Sequence, residues 1–205
     1  MRWLVAPDSY KGALRATPAA RAIARGLARG DPEARVDPCP MADGGEGTVE
    51  AVLAARRGTW RRMRVTGPLG EPVEAAYALV DEGEARRTAW LEMAAAAGLE
   101  LVPESRRDPR HTTSFGVGEL LRAVLDAGVR RIVVAAGGSA TTDGGAGLAQ
   151  ALGARLEGVG VPATGAALRK LSAVDPSGLD PRLREVEIRV ACDVTSPLLG
   201  AEGAA

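Results

Sequence analysis

Four short segments concentrate acidic, hydroxyl-bearing and glycine residues, and these residue types are suited to phosphate chemistry. The segments are residues 7–12, 42–48, 137–147 and 192–195. Glycine-rich turns let backbone N–H groups point at an anion at the start of a helix, and carboxylates can hold a magnesium ion. Anion cradles and acids together are what phosphoryl transfer requires. We therefore predict a magnesium-dependent enzyme that handles phosphate, with its substrate left open.

Each acid in these segments also has a purely structural interpretation. Asp8 and Ser9 are of the types that cap a turn. Asp43 and Asp143 stand in Asp-Gly turns, and Asp193 follows the end of a predicted strand. Either interpretation suits any one segment, but the occurrence of four such segments in one chain favours the functional one.

Common nucleotide-binding signatures mostly fail in this sequence, and the one formal match, Gly158-x-Gly160-x-x-Ala163, contains Pro162 and does not link a strand to a helix. No Gly-Lys-Ser/Thr follows the glycines of residues 138–144, so this segment is not a Walker P-loop. The Gly-x-Gly pairs at 116–118 and 145–147 lack the third small residue of the dinucleotide fingerprint. Protein-kinase motifs are absent too. The residues therefore indicate a kind of chemistry without naming a substrate.

A predicted strand precedes each of the four segments. The expected strands are residues 3–6, 36–39, 131–136 and 186–191. The expected helices are residues 17–30, 48–55, 112–125 and 146–152, with a short helix at 166–171. In α/β folds ligands bind at the carboxyl ends of the strands, where loops bring polar groups together. The sequence therefore predicts that the four segments converge at such an edge.

The middle of the chain follows a different pattern. Strands are expected at 63–65, 73–80 and 87–93, with turn signals between them and no helices. Consecutive strands of this kind predict an antiparallel or mixed sheet. We therefore expect an α/β protein in which about the first sixty residues form a doubly wound segment and the rest forms a separate α/β part.

The composition excludes several classes of protein. The chain has 205 residues, of which 46% are hydrophobic, so it can bury a core. Its 26 Lys and Arg balance 26 Asp and Glu, which argues against a nucleic-acid or anionic-membrane partner. No stretch approaches the roughly 20 apolar residues of a membrane span. Two distant cysteines and one histidine supply no local zinc site and fit a reduced, cytoplasmic protein.

Six segments, in a fixed order, form a longer pattern. They are Ala-Pro-Asp-Ser-Tyr-Lys-Gly (6–12), Met-Ala-Asp-Gly-Gly-Glu-Gly-Thr (41–48), Thr-Gly-Pro-Leu-Gly (66–70), Glu-Met-Ala-Ala-Ala-Ala-Gly-Leu (92–99), Gly-Gly-Ser-Ala-Thr-Thr-Asp-Gly-Gly-Ala-Gly (137–147) and Ala-Cys-Asp-Val-Thr (191–195). This pattern closely resembles the bacterial glycerate kinase family, and the resemblance runs from Met1 to Ala205. It implies ATP-dependent phosphorylation of D-glycerate to phosphoglycerate in the cytoplasm, with Mg²⁺. The small-molecule partners would be D-glycerate and ATP, and a homodimer is an open alternative to a monomer.

The resemblance also implies an architecture. Residues 1–65 would be the N-terminal half of a flavodoxin-like doubly wound domain. Residues 66–205 would be part of an inserted second α/β domain, similar to a restriction-endonuclease fold. Members of the family continue beyond the motif that begins at Gly200, so we expect this chain to be a form truncated at its C-terminus.

Site residues follow from the same resemblance. The expected catalytic residues are Asp43, Asp193 and Lys11, with Lys11 on a phosphate or the substrate carboxylate and Asp193 or Asp43 as the base. The expected metal ligands are Asp43, Asp143 and Asp193. The expected substrate- and phosphate-binding residues are Asp8, Ser9, Gly44, Gly45, Glu46, Gly137, Gly138, Ser139, Thr141, Thr142 and Asp143.

Other interpretations stay open at this point. The chain could be a non-catalytic fragment that binds phosphate or nucleotide, or a kinase of a related small sugar acid. The sequence also leaves open whether the 2- or the 3-hydroxyl of glycerate is phosphorylated, and whether 205 residues fold alone.

Overall fold

The computed structural model describes residues 1–10, 13–83, 87–195, 197 and 200–201. The strands are β1 (Arg2–Val5), β2 (Arg35–Pro38), β3 (Gly58–Thr66), β4 (Pro72–Asp81), β5 (Arg87–Glu92), β6 (Arg131–Ala135), β7 (Arg155–Glu157), β8 (Ala173–Asp175) and β9 (Glu187–Ala191). The α-helices are α1 (Ala16–Gly30), α2 (Thr48–Ala55), α3 (Ala94–Ala97), α4 (Phe115–Asp126) and α5 (Ala146–Ala151). Short 3₁₀ helices cover Leu99–Leu101, Glu104–Arg106, Pro109–His111, Gly165–Lys170 and Pro181–Glu185.

A five-stranded mixed sheet in the order β3-β4-β5-β6-β9 forms the centre of the fold. β3, β4 and β5 are antiparallel neighbours, whereas β5, β6 and β9 run parallel. A separate parallel pair is formed by β1 and β2, and β7 and β8 form an antiparallel pair. The predicted mixed α/β class is thereby confirmed.

Side chains of β4 alternate between two faces of the central sheet. Tyr77 and Leu79 belong to the main core together with Leu120 and Val124 of α4. Ala78 and Val80 form a second cluster with Val49 of α2. Alternation of period two along the strand therefore buries both faces, with α4 on one side and α2 on the other.

β3 lies in the five-stranded sheet and not beside β1 and β2. It pairs with β4 along its whole length, from Gly58 opposite Val80 to Thr66 opposite Pro72. The division of the chain into a flavodoxin-like half (1–65) and an inserted restriction-endonuclease-like part (66–205) stays a prediction.

The observed elements differ from the expected ones at particular places. α4 begins at Phe115 and not at residue 112, because the hydroxyls of Thr112, Thr113 and Ser114 are bonded to nearby loops and to Phe115 N. The three-residue strands β7 and β8 lie in a region expected to be mostly loop. Within the described part of the chain, no helix is both long and apolar enough to cross a membrane.

Candidate active site

The carboxyl ends of the three parallel strands lie side by side. Glu92 at the end of β5 is opposite Ala135 at the end of β6, and Ala135 is opposite Ala191 at the end of β9. Beyond these ends, the N–H of Ala136 donates a 3.0 Å hydrogen bond to the Ala191 oxygen. The segments 137–147 and 192–195 therefore leave the sheet at neighbouring positions.

The segment 42–48 packs directly against this edge. The Gly137 N–H donates a 3.0 Å hydrogen bond to the Gly44 oxygen. A Cβ at Gly44 would lie 3.0 Å from the Ala191 oxygen, and Gly44 has a φ of +97° that L side chains rarely adopt. A Cβ at Gly137 would lie 2.6 Å from the Gly45 Cα. Bare glycine backbones thus allow three of the predicted segments to meet.

Residues 7–10 of the first segment join the same group through the backbone. Pro7 oxygen accepts a 2.9 Å hydrogen bond from Met41 N–H, next to the start of the 42–48 segment. Asp8 is exposed and accepts a hydrogen bond from the N–H of Ser9, which is half-buried. Lys11, the predicted cation of this segment, lies outside the described residues.

Two of the predicted acids are exposed at the junction. Asp43 precedes Gly44 and accepts a 3.3 Å hydrogen bond from Gly45 N–H through Oδ1. Asp193 lies two residues after Ala191, whose oxygen contacts Gly44. Both carboxylates are exposed to solvent, so they can contact a ligand bound at this edge.

Asp143 has a different environment, because its side chain is buried with 2% exposure. Oδ2 accepts hydrogen bonds from Ser114 N–H (2.8 Å), Ser114 Oγ (2.8 Å) and Gly147 N–H (3.1 Å). Oδ1 accepts one from Gly145 N–H at 3.1 Å. The Ser114 Oγ also accepts a 3.0 Å bond from Leu148 N–H. This network ties the start of α4 to the start of α5, and to bind a metal Asp143 would have to give up one of these bonds.

The hydroxyls of the 137–142 segment hold the loop in place. Thr141 Oγ1 donates a 2.9 Å hydrogen bond to Thr112 oxygen, and Thr142 Oγ1 donates one of 3.3 Å to Pro109 oxygen. Ser139 Oγ donates to Thr141 oxygen at 3.3 Å. Gly138, with a φ of +73°, turns the chain after β6. The loop is therefore shaped before any ligand binds.

Two further acids, Glu92 and Glu100, lie near Glu46 beside this loop. Desolvation by burial raises the pKa of Glu92, against hydrogen bonds from the backbone of Val49 and Gly47 that lower it. The Val49 N–H donates to Glu92 Oε1 at 2.9 Å, which fixes the start of α2. Burial also raises the pKa of Glu46, as do the charge of Glu100, a hydrogen bond with it and the charge of Glu92. Sequence analysis missed Glu92, although it ends a strand at the same edge.

A magnesium ion prefers oxygen ligands, and carboxylates at the junction can supply them. Among the residues that the structure describes, no three His, Cys, Asp or Glu side chains form a group that could hold a metal ion by themselves. Mg²⁺ keeps several waters and is usually bound by one or two carboxylates together with substrate phosphates. The exposed carboxylates of Asp43 and Asp193 fit that second arrangement.

An open pocket of about 230 Å³ is lined in part by the 139–142 loop. It is lined by Leu99, Val102, Arg107, Asp108, Pro109, Thr112, Ser139, Ala140, Thr141 and Thr142. Sequence analysis missed Arg107 and Asp108, because they belong to the irregular segment between α3 and α4 and no motif marks them.

The chain matches the sequence pattern of the glycerate kinase family over residues 3–205. It belongs to the glycerate kinase family. The resemblance found in the six sequence segments is thereby confirmed.

Relatives in the family are similar along the whole chain. The glycerate 2-kinase of Escherichia coli K12 is 52% identical over 207 residues, and a glycerate kinase of Bacillus subtilis 168 is 51% identical. The chain spans 54% and 53% of these two proteins, respectively, and all of its own residues are aligned. A crystal structure of a protein assigned as glycerate kinase 2 from Salmonella typhimurium LT2 superposes with a TM-score of 0.81 at 53% identity. That match covers 100% of this chain and 55% of the other.

The chain therefore spans about half the length of the relatives it matches. The structure brings the segments 42–48, 137–147 and 192–195 together through the contacts of Gly44, and it links 7–12 to them through Met41. The roles assigned to individual residues in these segments stay predictions.

Proposed function

We propose that this chain carries the phosphate-handling part of a D-glycerate kinase, which transfers a phosphoryl group from ATP to D-glycerate. The family match over residues 3–205 supports the reaction class. The observation that carries the proposal is the junction at Gly44, where the loops after β2, β6 and β9 meet. Phosphoryl transfer needs such a junction, because one group of residues must hold the phosphates while another positions the attacking hydroxyl.

The proposed phosphate contacts come mainly from backbone groups. In the 137–142 loop the N–H groups of Gly137, Ala140, Thr141 and Thr142 already donate to protein oxygens. The N–H groups of Gly138 and Ser139 would therefore face the phosphate oxygens, with the side chains of Ser139, Thr141 and Thr142 beside them. Gly44, Gly45 and Glu46 would line the opposite side, and Asp8, Ser9 and Lys11 would approach from the end of β1. Since hydrogen bonds between the loops already fix this arrangement, little reorganisation is needed when the nucleotide binds.

The glycerate hydroxyl oxygen forms a bond to the γ-phosphorus while the bond from that phosphorus to the β,γ-bridging oxygen breaks, which releases ADP. The hydroxyl proton passes to a carboxylate, for which Asp193 and Asp43 are the candidates. Their exposure at the junction leaves them accessible to a bound substrate.

Magnesium fits the proposal as an ion shared with the nucleotide. When bound, it would neutralise charge on the β- and γ-phosphates. Whichever of Asp43 and Asp193 does not accept the proton would hold the ion. Asp143, the third predicted ligand, would support the loop through its hydrogen bonds with Ser114 and Gly145.

The position phosphorylated is proposed to be the 2-hydroxyl. The relative from Escherichia coli is named a glycerate 2-kinase and is 52% identical to this chain. A ³¹P NMR spectrum of the reaction product, compared with authentic 2- and 3-phosphoglycerate, distinguishes the two products. Hydroxypyruvate and tartronate in place of D-glycerate test whether a related acid is the better substrate.

The proposal also includes a cytoplasmic location and assembly as a homodimer. It includes no nucleic-acid partner and no membrane partner.

A coupled assay of ATP consumption with D-glycerate tests the activity. Turnover by the purified chain supports the proposal. A double variant, Asp43→Asn with Asp193→Asn, purified in the same way, controls for a host kinase that copurifies. Turnover equal to that of the double variant would count against a catalytic chain.

A second function is favoured by one observation. Because the chain spans about half the length of its relatives, the alternative is a module that binds Mg-nucleotide without turnover. Binding of MgATP measured by calorimetry, together with no ADP formation, would support that alternative.

A further inference from the structure

The pocket beside the 139–142 loop is too small for a nucleotide. Its volume is about 230 Å³, below the range of about 300–1,000 Å³ found for pockets that hold drug-sized ligands. Its lining includes the apolar side chains of Leu99, Val102 and Ala140 and the hydroxyl-bearing side chains of Thr141 and Thr142. A pocket of this size and lining suits a small, polar organic molecule.

Arg107 supplies the cation of this pocket. Its Nε donates a 3.3 Å hydrogen bond to the Val102 oxygen, which anchors the guanidinium at the pocket wall. The Arg107 side chain is 40% exposed to solvent, and its Nη1 lies 3.9 Å from the mostly exposed Glu104 carboxylate. A contact of this length in water is weak. The Nη groups therefore keep donors for a carboxylate, which a guanidinium can bind through two parallel hydrogen bonds.

Asp108 enters the pocket lining as one half of an ion pair. Arg110 donates hydrogen bonds to both carboxylate oxygens, at 2.9 Å to Oδ1 and 2.7 Å to Oδ2, and this pairing lowers the pKa of Asp108 to about 2. Because Arg110 compensates the charge of Asp108, the charge that the pocket lining offers an anion is that of Arg107. Hydroxyl-bearing side chains complete the lining, and they can exchange hydrogen bonds with the hydroxyls of a substrate.

The pocket also lies next to the place where phosphate would bind. Ser139, Thr141 and Thr142 line it, and they belong to the loop that begins with Gly137 at the junction with Gly44. A ligand anchored at Arg107 would therefore have its far end close to that loop. This is the arrangement required of an acceptor whose hydroxyl must reach the γ-phosphate.

We propose that this pocket is the acceptor site, in which Arg107 binds the carboxylate of a small 2-hydroxy acid and the hydroxyls of Thr141 and Thr142 contact the acid's own hydroxyls. The inference rests on the proposed function, since it names the residue that would hold the D-glycerate carboxylate. It adds a specificity determinant, because an alcohol without the carboxylate would leave the guanidinium without a partner.

Binding of D-glycerate to the purified chain, measured by calorimetry, tests the inference. Arg107→Gln should lower the affinity by about tenfold or more, as expected for loss of a hydrogen bond to a charged group. Arg107→Lys should restore part of the affinity. Arg106→Gln is the matched control, because Arg106 is the neighbouring arginine, bonds Glu71 at 3.1 Å and does not line the pocket. Affinity for D-glycerate in this control should match that of the unchanged chain.

Two further probes identify the group recognised. Glycerol, which has the hydroxyls without the carboxylate, should not compete with D-glycerate. Inorganic phosphate should compete poorly. Strong competition by phosphate that Arg107→Gln abolishes would show a phosphate site and overturn the assignment.

Circular dichroism and the melting temperature of each variant show whether it is folded. If Arg107→Gln fails to fold, Thr142→Val must weaken D-glycerate binding, and unchanged binding by this variant overturns the inference.

The outcomes separate this inference from the proposed function. If Arg107→Gln binds D-glycerate as well as the unchanged chain does, the pocket assignment is wrong while glycerate binding stands. If the unchanged chain binds no D-glycerate, the pocket assignment is also wrong. If D-glycerate binds through Arg107 but no ATP is consumed, the acceptor site stands and the catalytic proposal fails.

Discussion

The backbone oxygen of Gly44 accepts a 3.0 Å hydrogen bond from the N–H of Gly137, although 93 positions separate them in sequence. This bond joins the loop that follows β2 to the loop that follows β6, so it connects the β1-β2 pair to the five-stranded sheet at the carboxyl ends of their parallel strands. A side chain at Gly137 would strain the contact, because a Cβ there would lie 2.6 Å from Gly45 Cα. The candidate active site therefore depends on close approach of two backbones.

Gly137→Ala tests that dependence. The added methyl must push the two loops apart, so we expect the free energy of unfolding to fall by about 1–3 kcal/mol, as in other overpacked sites. Affinity for MgATP should fall with it. Gly26→Ala is the control, since Gly26 is inside α1 and a Cβ there meets nothing within 4 Å. Urea titration of both variants measures the effect. Equal stability of Gly137→Ala and the unchanged chain would contradict the contact.

Asp143→Asn tests the buried carboxylate. The carboxylate accepts hydrogen bonds from Ser114, Gly145 and Gly147, so an amide nitrogen in place of either oxygen would face N–H or O–H donors. We expect a loss of about 1–3 kcal/mol in the free energy of unfolding, the cost of unsatisfied buried groups.

The control for this change is Asp126→Asn. Asp126 forms a 2.8 Å ion pair with Arg182 and keeps 66% of its side-chain exposure. Exposed pairs of this kind contribute about 0–1 kcal/mol. Thermal unfolding followed by circular dichroism should rank the two variants clearly, with Asp143→Asn the less stable. The reverse order would show that the Asp143 network contributes little.

Sequence patterns could predict the start of α2 but not the start of α4. Gly47 ends a glycine-rich turn with a φ of +89°, so the helix begins at Thr48 as local residue types indicate. Before α4, the hydroxyls of Thr112 and Ser114 are bonded by residues about 28–34 positions away in sequence. Such long-range partners override the local preference, and no window of sequence contains them.

The same distinction applies to the site. Because the predicted strands end at one edge of a sheet, the sequence predicted that the loops after them would lie together. The contacts among Gly44, Gly137 and Ala191 confirm this. Arg107 could not be found in this way, because it lies in an irregular segment where side-chain position depends on packing against the 139–142 loop. The same reasoning about strand ends could have identified Glu92, because it is the last residue of β5.

Asp43→Asn and Asp193→Asn test the two candidate bases. If one of them accepts the hydroxyl proton, its amide variant should lower turnover by about 10²–10⁴-fold, the usual contribution of a general base. The other residue, acting on the metal, should show a weaker effect that higher magnesium concentration partly reverses. Asp81→Asn, at the exposed end of β4, is the control and should keep normal turnover. A near-normal rate for either test variant removes that residue from the chemistry.

Glu92→Gln tests the pH dependence of stability. Burial raises the pKa of Glu92 above its ordinary value of 4.5, so the folded state holds this proton more tightly than the unfolded chain does. The contribution of Glu92 to the free energy of unfolding is therefore full below pH 4.5 and is lost as the pH rises through the raised pKa. Glutamine keeps an oxygen for the Val49 N–H but does not ionise.

Urea titrations at acidic and neutral pH should show that the stability of Glu92→Gln, relative to the unchanged chain, increases with pH. Glu74→Gln, at an exposed position of β4, should show no such trend. A relative stability that is flat or falls with pH would mean that the hydrogen bonds from Val49 and Gly47 outweigh burial at this carboxylate.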